Sequence, residues 1–249
     1  MNFLKASTGF VNNTYKFYPS DDEKLFNTNK KKFGTEWEFY NKQIFYKVNS
    51  LGYREQEFEK INWNSSVVCL GCSHTFGIGL PEEETYVRKL QNTINHQCVN
   101  LGIPGGSMSA ILHNILVLKH LNVQPWKIVI QVPDLARNYY AIKTDHGLNI
   151  MHVIPHLQGL ITKENLVYYS RENLKHFFDQ TKSIIEYLFP ATNIVWFTAC
   201  HPSDAKNLNI PMPKEFNITS FENLHWARDR MHFGQTIQNS IVDFILEEL

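Results

Sequence analysis

Three short segments of this 249-residue chain carry side chains that could do nucleophilic chemistry. In GCSHT, residues 71–75, glycine permits a tight turn that would expose the Ser73 hydroxyl, and the serine N–H could bind an oxyanion. In NLGIPGG, residues 100–106, Gly105 offers an N–H group that no side chain obstructs. In DRMH, residues 229–232, a carboxylate stands three positions before an imidazole whose tautomer it could hold.

Apolar runs of strand length alternate with segments of helical period along much of the chain. The predicted strands are residues 67–70, 98–101, 126–132 and 193–199, and the predicted helices are residues 85–96, 107–121, 171–188 and 235–248. The strands lack inside–outside alternation, which indicates a parallel sheet that is buried on both faces. We therefore predict an α/β fold, a doubly wound, mostly parallel sheet with helices on both faces. The predicted core face of residues 171–188 holds Leu174, Phe177, Phe178, Ile184, Ile185 and Leu188.

The placement of the three reactive segments favours one shared crevice. Two of them follow predicted strands and the third precedes the last predicted helix, while ligands of such sheets bind beyond the carboxyl ends of the strands. Each segment alone is weak evidence, because a serine before a helix often serves as a plain helix cap. The interpretation as one shared site rests on all three segments having the order and the placement that such a sheet requires.

Two regions do not follow the alternation of strands and helices. Residues 1–62 are aromatic and charged, and we expect an N-terminal extension that wraps an α/β domain of residues 63–249. Residues 138–170 are predicted to be an irregular insertion, of the length that functional loops and lids have. Its three histidines, His146, His152 and His156, are expected to be solvated loop residues rather than metal ligands.

Composition excludes several classes of protein. With 24 basic and 24 acidic residues the formal charge is zero, so nucleic acid is not an expected partner. No apolar stretch reaches the roughly 20 residues of a membrane span, and the first residues lack the apolar core of a signal peptide. Cys69 and Cys72 form a C-x-x-C, which leaves a redox or zinc site open, but the apolar surroundings favour buried thiols. Free thiols and the lack of a signal peptide predict a cytoplasmic protein.

The reactive segments resemble the blocks of the SGNH (GDSL-type) hydrolases. GCSHT is similar to the family's G-D-S-x-T block, with Cys72 where aspartate is usual, and DRMH matches the final D-x-x-H block. NLGIPG, residues 100–105, resembles the block whose glycine donates an N–H to the oxyanion. The segment YKVNSLGYR, residues 46–54, resembles a lead-in found in many bacterial members. The resemblance begins near residue 46 and implies a flavodoxin-like three-layer sandwich.

The resemblance implies a serine esterase that requires no metal or organic cofactor. Ser73 would be the nucleophile, His232 the base and Asp229 the group that orients it, with the N–H groups of Ser73 and Gly105 binding the oxyanion. The implied substrate is a small acyl ester, such as an O-acetyl group on a carbohydrate. His74 and His201 are candidate substrate contacts.

One block departs from the family pattern. The family has G-x-N-D after the third strand, with the asparagine as a further oxyanion donor, whereas this chain has Pro133 at the asparagine position. Arg137 or Asn138 could supply the missing donor. The Pro133 departure favours one alternative, a non-catalytic glycan-binding or structural protein that keeps the fold. An acyltransferase with the same triad is a second alternative, because the sequence does not separate it from an esterase. The oligomeric state is left open by the sequence.

Overall fold

The computed structural model describes residues 2–144, 147–153, 166–198, 205–206, 208–213 and 225–249. In chain order its strands are β1 (Asn13–Tyr15), β2 (Tyr46–Val48), β3 (Val67–Gly71), β4 (Cys98–Gly102), β5 (Lys127–Val132), β6 (Asn138–Thr144), β7 (Gly147–Val153) and β8 (Ile194–Thr198). Its helices are α1 (Glu23–Phe33), α2 (Ser73–Phe76), α3 (Tyr86–Thr93), α4 (Met108–His120), α5 (Arg171–Leu188) and α6 (Gln235–Glu248).

Four parallel strands form the central sheet, in the order β4-β3-β5-β8. The register places Val68 of β3 between Val99 of β4 and Ile128 of β5. Every residue of β3, β4 and β8 is buried, as expected for strands that are covered on both faces. The predicted doubly wound α/β fold is confirmed.

Alternate residues of the strands pack against helices on opposite faces of the sheet. Val68 and Ile130 belong to a core cluster with α4 and α5, whereas Val67, Cys69 and Val129 belong to a cluster with α3 and α6. Burial in this core raises the pKa of the Cys69 thiol well above its ordinary value. The thiols of β3 and β4 are therefore protonated, and they pack as small apolar groups.

The first 62 residues contain regular structure that the sequence did not reveal. Helix α1 begins after Asp22, whose side chain accepts a hydrogen bond from the Leu25 N–H at 2.7 Å, and it ends at Gly34 with φ 68°. Its sequence, EKLFNTNKKKF, is mostly polar, and the buried Asn29 stands between Phe26 and Phe33 on the face that packs, so the apolar stripe by which helices are recognised is interrupted. Strands β1 and β2 form an antiparallel pair, in which Asn13 lies opposite Val48.

The expected irregularity of residues 138–170 is wrong for their first half. Strands β6 and β7 form an antiparallel hairpin, with Thr144 opposite Gly147 and Asn138 opposite Val153. Apolar residues stand next to each other in both strands, at 141–142 and at 150–151, which obscures the period of two in the sequence.

Helix α5 has the predicted bounds, but one residue of its predicted core face is exposed. Phe178 and Ile185 are fully buried, whereas 45% of the surface of Ile184 is exposed to solvent. Neighbouring residues on a helix are about 100° apart, so both isoleucines cannot point at the same sheet. Among the described residues, no helix has the length and apolar composition that a membrane crossing requires.

The two neighbouring isoleucines provide a matched pair for testing the packing of α5. We expect Ile185→Ala to lower the free energy of unfolding by about 2–5 kcal/mol, because it removes buried methyl groups and leaves a cavity. Ile184→Ala should stay within about 0.5 kcal/mol of the wild type. Urea unfolding of the three proteins measures the difference, and equal losses for both variants would contradict this packing.

Candidate active site

Ser73 lies at the junction between β3 and the single helical turn α2. The turn ends at Gly77, which has φ 82° and donates its N–H to the Ser73 carbonyl at 3.0 Å. The N–H of Ser73 has no acceptor among the described residues. The side chain and the free N–H therefore stand together at the carboxyl end of β3.

Gln131 of β5 holds this turn in place. Its Oε1 atom accepts hydrogen bonds from the Cys72 N–H at 3.1 Å and from the Thr75 hydroxyl at 3.0 Å. A Cβ atom at Gly71 would lie 2.1 Å from Thr75 Oγ1 and 2.6 Å from Gln131 Oε1, so only glycine fits there. Gln131 was not among the residues predicted from the sequence, although a glutamine inside the apolar run KIVIQV indicates a buried polar group that needs hydrogen-bond partners.

Asp229 and His232 form a line with Ser73. His232 Nε2 lies 2.8 Å from Ser73 Oγ, and His232 Nδ1 lies 2.5 Å from Asp229 Oδ2. The other carboxylate oxygen accepts the N–H groups of Met231 at 3.0 Å and of His232 at 3.1 Å. Asp229 is buried and has partners on both oxygens, as a buried charge requires.

The turn between Asp229 and His232 is tight. The Ala227 N–H donates to the His232 carbonyl at 2.8 Å, and the Arg230 N–H donates to the Ala227 carbonyl at 2.9 Å. Arg230 adopts φ 61°, a conformation that few residues other than glycine take. This geometry lets Asp229 reach the Nδ1 side of the His232 ring while the Nε2 side faces Ser73 Oγ.

The loop after β4 brings Gly105 to the same sheet edge. The Ile103 N–H donates to the carbonyl of Gly71 at 3.0 Å, which ties this loop to the strand that precedes Ser73. Asn100 donates its side-chain amide to the Thr75 carbonyl at 2.9 Å and accepts the Gly102 N–H at 2.9 Å. Gly105 has φ 74°, and within the described part of the chain its N–H has no acceptor.

His74 lies against the catalytic candidates rather than in solvent. Its ring stacks on Phe233 with centroids 4.2 Å apart and meets His232 edge to face at 4.9 Å. Its Nδ1 atom is buried and has no partner among the described residues. Burial holds the pKa of His74 well below its ordinary value, and the charges of His232 and Arg137 lower it further.

The remaining candidates fall in different places. Arg137 is partly buried, with its Nε atom enclosed and unpaired within the described residues, and its charge acts on His74. Asn138 is exposed, and its Oδ1 atom accepts the Ser109 hydroxyl at 3.2 Å and the Tyr139 N–H at 2.9 Å. Pro133 is buried.

Some predicted residues lie outside the part that the structure describes. His201, His146 and His156 are among them, and of His152 the structure describes the backbone in β7. Within the described ranges, no three His, Cys, Asp or Glu side chains group together as metal ligands would.

The chain is similar to solved structures of lipolytic proteins and esterases. It shares 14% identity and a TM-score of 0.42 with a member of the lipolytic protein G-D-S-L family from Veillonella parvula DSM 2008, covering 73% of this chain and 96% of that one. For TesA the values are 12% and 0.46, with 74% and 97% covered. For AlinE4, an SGNH-hydrolase family esterase, they are 19% and 0.35, with 73% and 94% covered. No protein-family model and no curated protein matches the chain. Likenesses this low carry no argument about activity, which has to rest on the geometry of the site.

The partly buried imidazole of His74 makes the stability of the protein depend on pH. Because the folded-state pKa of His74 lies well below its ordinary value of 6.5, the unfolded chain binds a proton that the folded protein excludes. Stability is therefore lost as the pH falls below about 6.5, at up to about 1.4 kcal/mol per pH unit. His74→Phe should remove this part of the pH dependence while keeping the stack on Phe233.

Urea unfolding of wild type and His74→Phe between about pH 7.5 and 5.5 measures the effect. The wild type should lose stability relative to the variant across this range. Parallel curves for the two proteins would mean that His74 binds its proton in the folded state as readily as in the unfolded chain.

Proposed function

We propose that the protein is a serine hydrolase that cleaves small acyl esters through an acyl-enzyme on Ser73. The observation that carries the proposal is the continuous line from the buried Asp229 carboxylate through His232 to the Ser73 hydroxyl, with contacts of 2.5 and 2.8 Å. A serine, an imidazole and a buried carboxylate in this order are the arrangement by which an alcohol is activated as a nucleophile.

The first half-reaction forms the acyl-enzyme. Ser73 Oγ attacks the ester carbonyl carbon while His232 Nε2 accepts the hydroxyl proton. Asp229 Oδ2 accepts the hydrogen bond of the opposite ring nitrogen, which keeps Nε2 unprotonated before the attack and stabilises the imidazolium that follows. The carbon–oxygen bond to the alcohol then breaks, and His232 returns the proton to the departing oxygen. Water repeats both steps and releases the acid.

The oxyanion of the tetrahedral intermediate is proposed to lie on the N–H groups of Ser73 and Gly105. Both groups lack an acceptor among the described residues, and both stand at the edge of the sheet where the strands end. Such preorganised donors require no rearrangement during the reaction, and loss of one costs about 10²–10³-fold in rate.

Arg137 is the better candidate for the third donor. Its Nε atom is enclosed and unpaired within the described part, and its charge reaches His74, the residue that follows the nucleophile. Asn138, by contrast, is exposed and its side-chain oxygen already accepts two hydrogen bonds. A guanidinium can replace an asparagine amide here, because both present N–H donors to an oxyanion.

The proposed substrate is a small acyl ester, with an O-acetyl group on a carbohydrate as the physiological case. This part comes from the resemblance to the SGNH hydrolases. His74, which borders His232, and His201 are the proposed substrate contacts. A non-catalytic glycan-binding or structural protein that keeps the fold is the alternative favoured by Pro133. Labelling of the serine separates this alternative from a hydrolase.

Labelling with a fluorophosphonate tests the nucleophile directly. The wild type should take up one probe on Ser73 and hydrolyse a short p-nitrophenyl ester, whereas Ser73→Ala should do neither and keep its thermal midpoint. Peptide mapping by mass spectrometry locates the adduct. Ser109→Ala, a serine in the first turn of α4, is the matched control and should behave as the wild type. An unlabelled, inactive wild type would instead support the non-catalytic alternative, and an adduct elsewhere would overturn the assignment of Ser73.

Alanine substitutions at Arg137 and Asn138 test the third donor. Arg137→Ala should lower kcat about 10²-fold or more with little change in KM, the signature of a contact made only in the transition state. Asn138→Ala should change kcat less than about threefold, because its side chain is bound elsewhere. Steady-state kinetics on one ester measures both. A fast wild type that tolerates both changes would show that neither residue replaces the family's asparagine.

A further inference from the structure

A buried ion pair joins the N-terminal segment to the residue that precedes Asp229. The carboxylate of Asp21 is 1% exposed and Arg228 is 2% exposed. Arg228 Nη2 lies 2.6 Å from Asp21 Oδ2, and Arg228 Nε lies 3.0 Å from Asp21 Oδ1. Two parallel hydrogen bonds of this kind fix direction as well as distance. The residue directly before Asp229 is therefore anchored by Asp21, which belongs to the N-terminal segment.

Tyr46 of β2 connects the same carboxylate to the loop after α2. Its hydroxyl donates to Asp21 Oδ2 and accepts the Gly79 N–H at 2.8 Å. Burial and the neighbouring Asp21 charge hold the pKa of Tyr46 well above its ordinary value. The hydroxyl consequently keeps its proton and stays a donor to Asp21.

Gly79 also contacts the backbone turn that carries Asp229. Its carbonyl accepts the Arg228 N–H at 3.0 Å. A Cβ atom at Gly79 would lie 2.8 Å from the Ala227 Cβ and 3.2 Å from Asp229 Oδ1, so the two backbones are packed closely here. A second anchor comes from α1, where Asn29 donates its side-chain amide to the Arg228 carbonyl at 3.1 Å.

We propose that Asp21 and Tyr46 are positioning residues of the active site, which fix Asp229 through Arg228 and Gly79 and thereby hold His232 in line with Ser73. The N-terminal segment is then part of the catalytic apparatus rather than a covering of the domain. The proposal rests on the hydrolase function above for its kinetic consequence, but the geometry it concerns can be measured without turnover.

The chemistry of the anchor supports a role in orientation. Desolvation makes a buried ion pair a weak source of stability, and apolar residues of similar volume often replace one without loss. Asp21, Arg228 and Tyr46 nevertheless hydrogen-bond to one another, Arg228 also donates to the Lys16 carbonyl, and Tyr46 accepts the Gly79 N–H. Removing one hydroxyl from this set leaves the Gly79 N–H without its partner, so the turn can shift while the core stays packed.

Two buried tyrosines of the same segment provide a matched comparison. Tyr46 and Tyr53 are both fully buried. The Tyr53 hydroxyl donates to the Leu4 carbonyl at 2.8 Å and accepts the Asn114 amide at 2.9 Å, so each tyrosine loses two hydrogen bonds on change to phenylalanine. The bonds of Tyr53 are made away from the acid–base pair, with the N-terminal residues and α4.

The experiment compares Tyr46→Phe and Tyr53→Phe in the full chain. Both should lower the thermal midpoint by similar amounts and fold, as judged by near-UV circular dichroism. Tyr46→Phe alone should lower kcat about tenfold or more with KM nearly unchanged, because a small displacement of the acid misaligns the base. It should also shift the proton resonance of His232 Nδ1 in the NMR spectrum. Arg228→Lys, which keeps the charge but loses the paired hydrogen bonds, should act in the same direction.

The outcomes separate this proposal from the proposed function. If the wild type has no esterase activity and takes no probe, the hydrolase function fails, and the His232 resonance still decides the positioning role. A shift in Tyr46→Phe but not in Tyr53→Phe supports it. Equal effects of the two variants on kcat or on the resonance, or no effect of Tyr46→Phe, would overturn it.

Discussion

The backbone at the carboxyl end of β4 lies against α2 at a distance that no side chain would permit. A Cβ atom at Gly102 would come within 2.3 Å of the Phe76 nitrogen. Because this contact is so close, the loop that follows β4 reaches the turn that carries Ser73, and Gly105 lies at the same edge of the sheet. The amide of Asn100, which spans Thr75 and Gly102, holds the two backbones at that separation.

Buried polar groups then determine the geometry around this contact. On one side, Gln131 accepts hydrogen bonds from Cys72 and Thr75, the neighbours of Ser73 in its turn. From the other side Arg54, which is fully buried, donates to the carbonyls of Gly77, Phe45 and Leu80 at 2.7, 2.8 and 2.9 Å. Desolvation lowers the pKa of Arg54, and the three carbonyl acceptors on its Nη1 and Nη2 atoms compensate for part of the cost of burying the charge. The loops of the site are in this way held by side chains that are themselves buried.

The sequence predicts the parts of the molecule that depend on local patterns. The parallel sheet follows from unbroken apolar runs, and Ser73, Asp229 and His232 stand in short motifs whose residues lie next to one another in the chain. The supporting contacts join residues far apart, 59 positions between Cys72 and Gln131 and 207 between Asp21 and Arg228, so no local spacing records them. Helix α1 was not predicted because Asn29 interrupts its short apolar face. Ile184 was assigned to the core because it stands next to the buried Ile185.

The separation of these partners along the chain also bears on how the protein reaches its native state. Asp21 meets Arg228 and Ser73 meets His232 across 207 and 159 positions, so each of these contacts closes a long loop, at an entropy cost that grows with the logarithm of loop length. Contacts of this kind form slowly and late in folding. A chain still on the ribosome can build the sheet from β3 to β5 before residue 229 has been synthesised. The contact between the Ser73 hydroxyl and the His232 ring therefore cannot form until residue 232 has been synthesised.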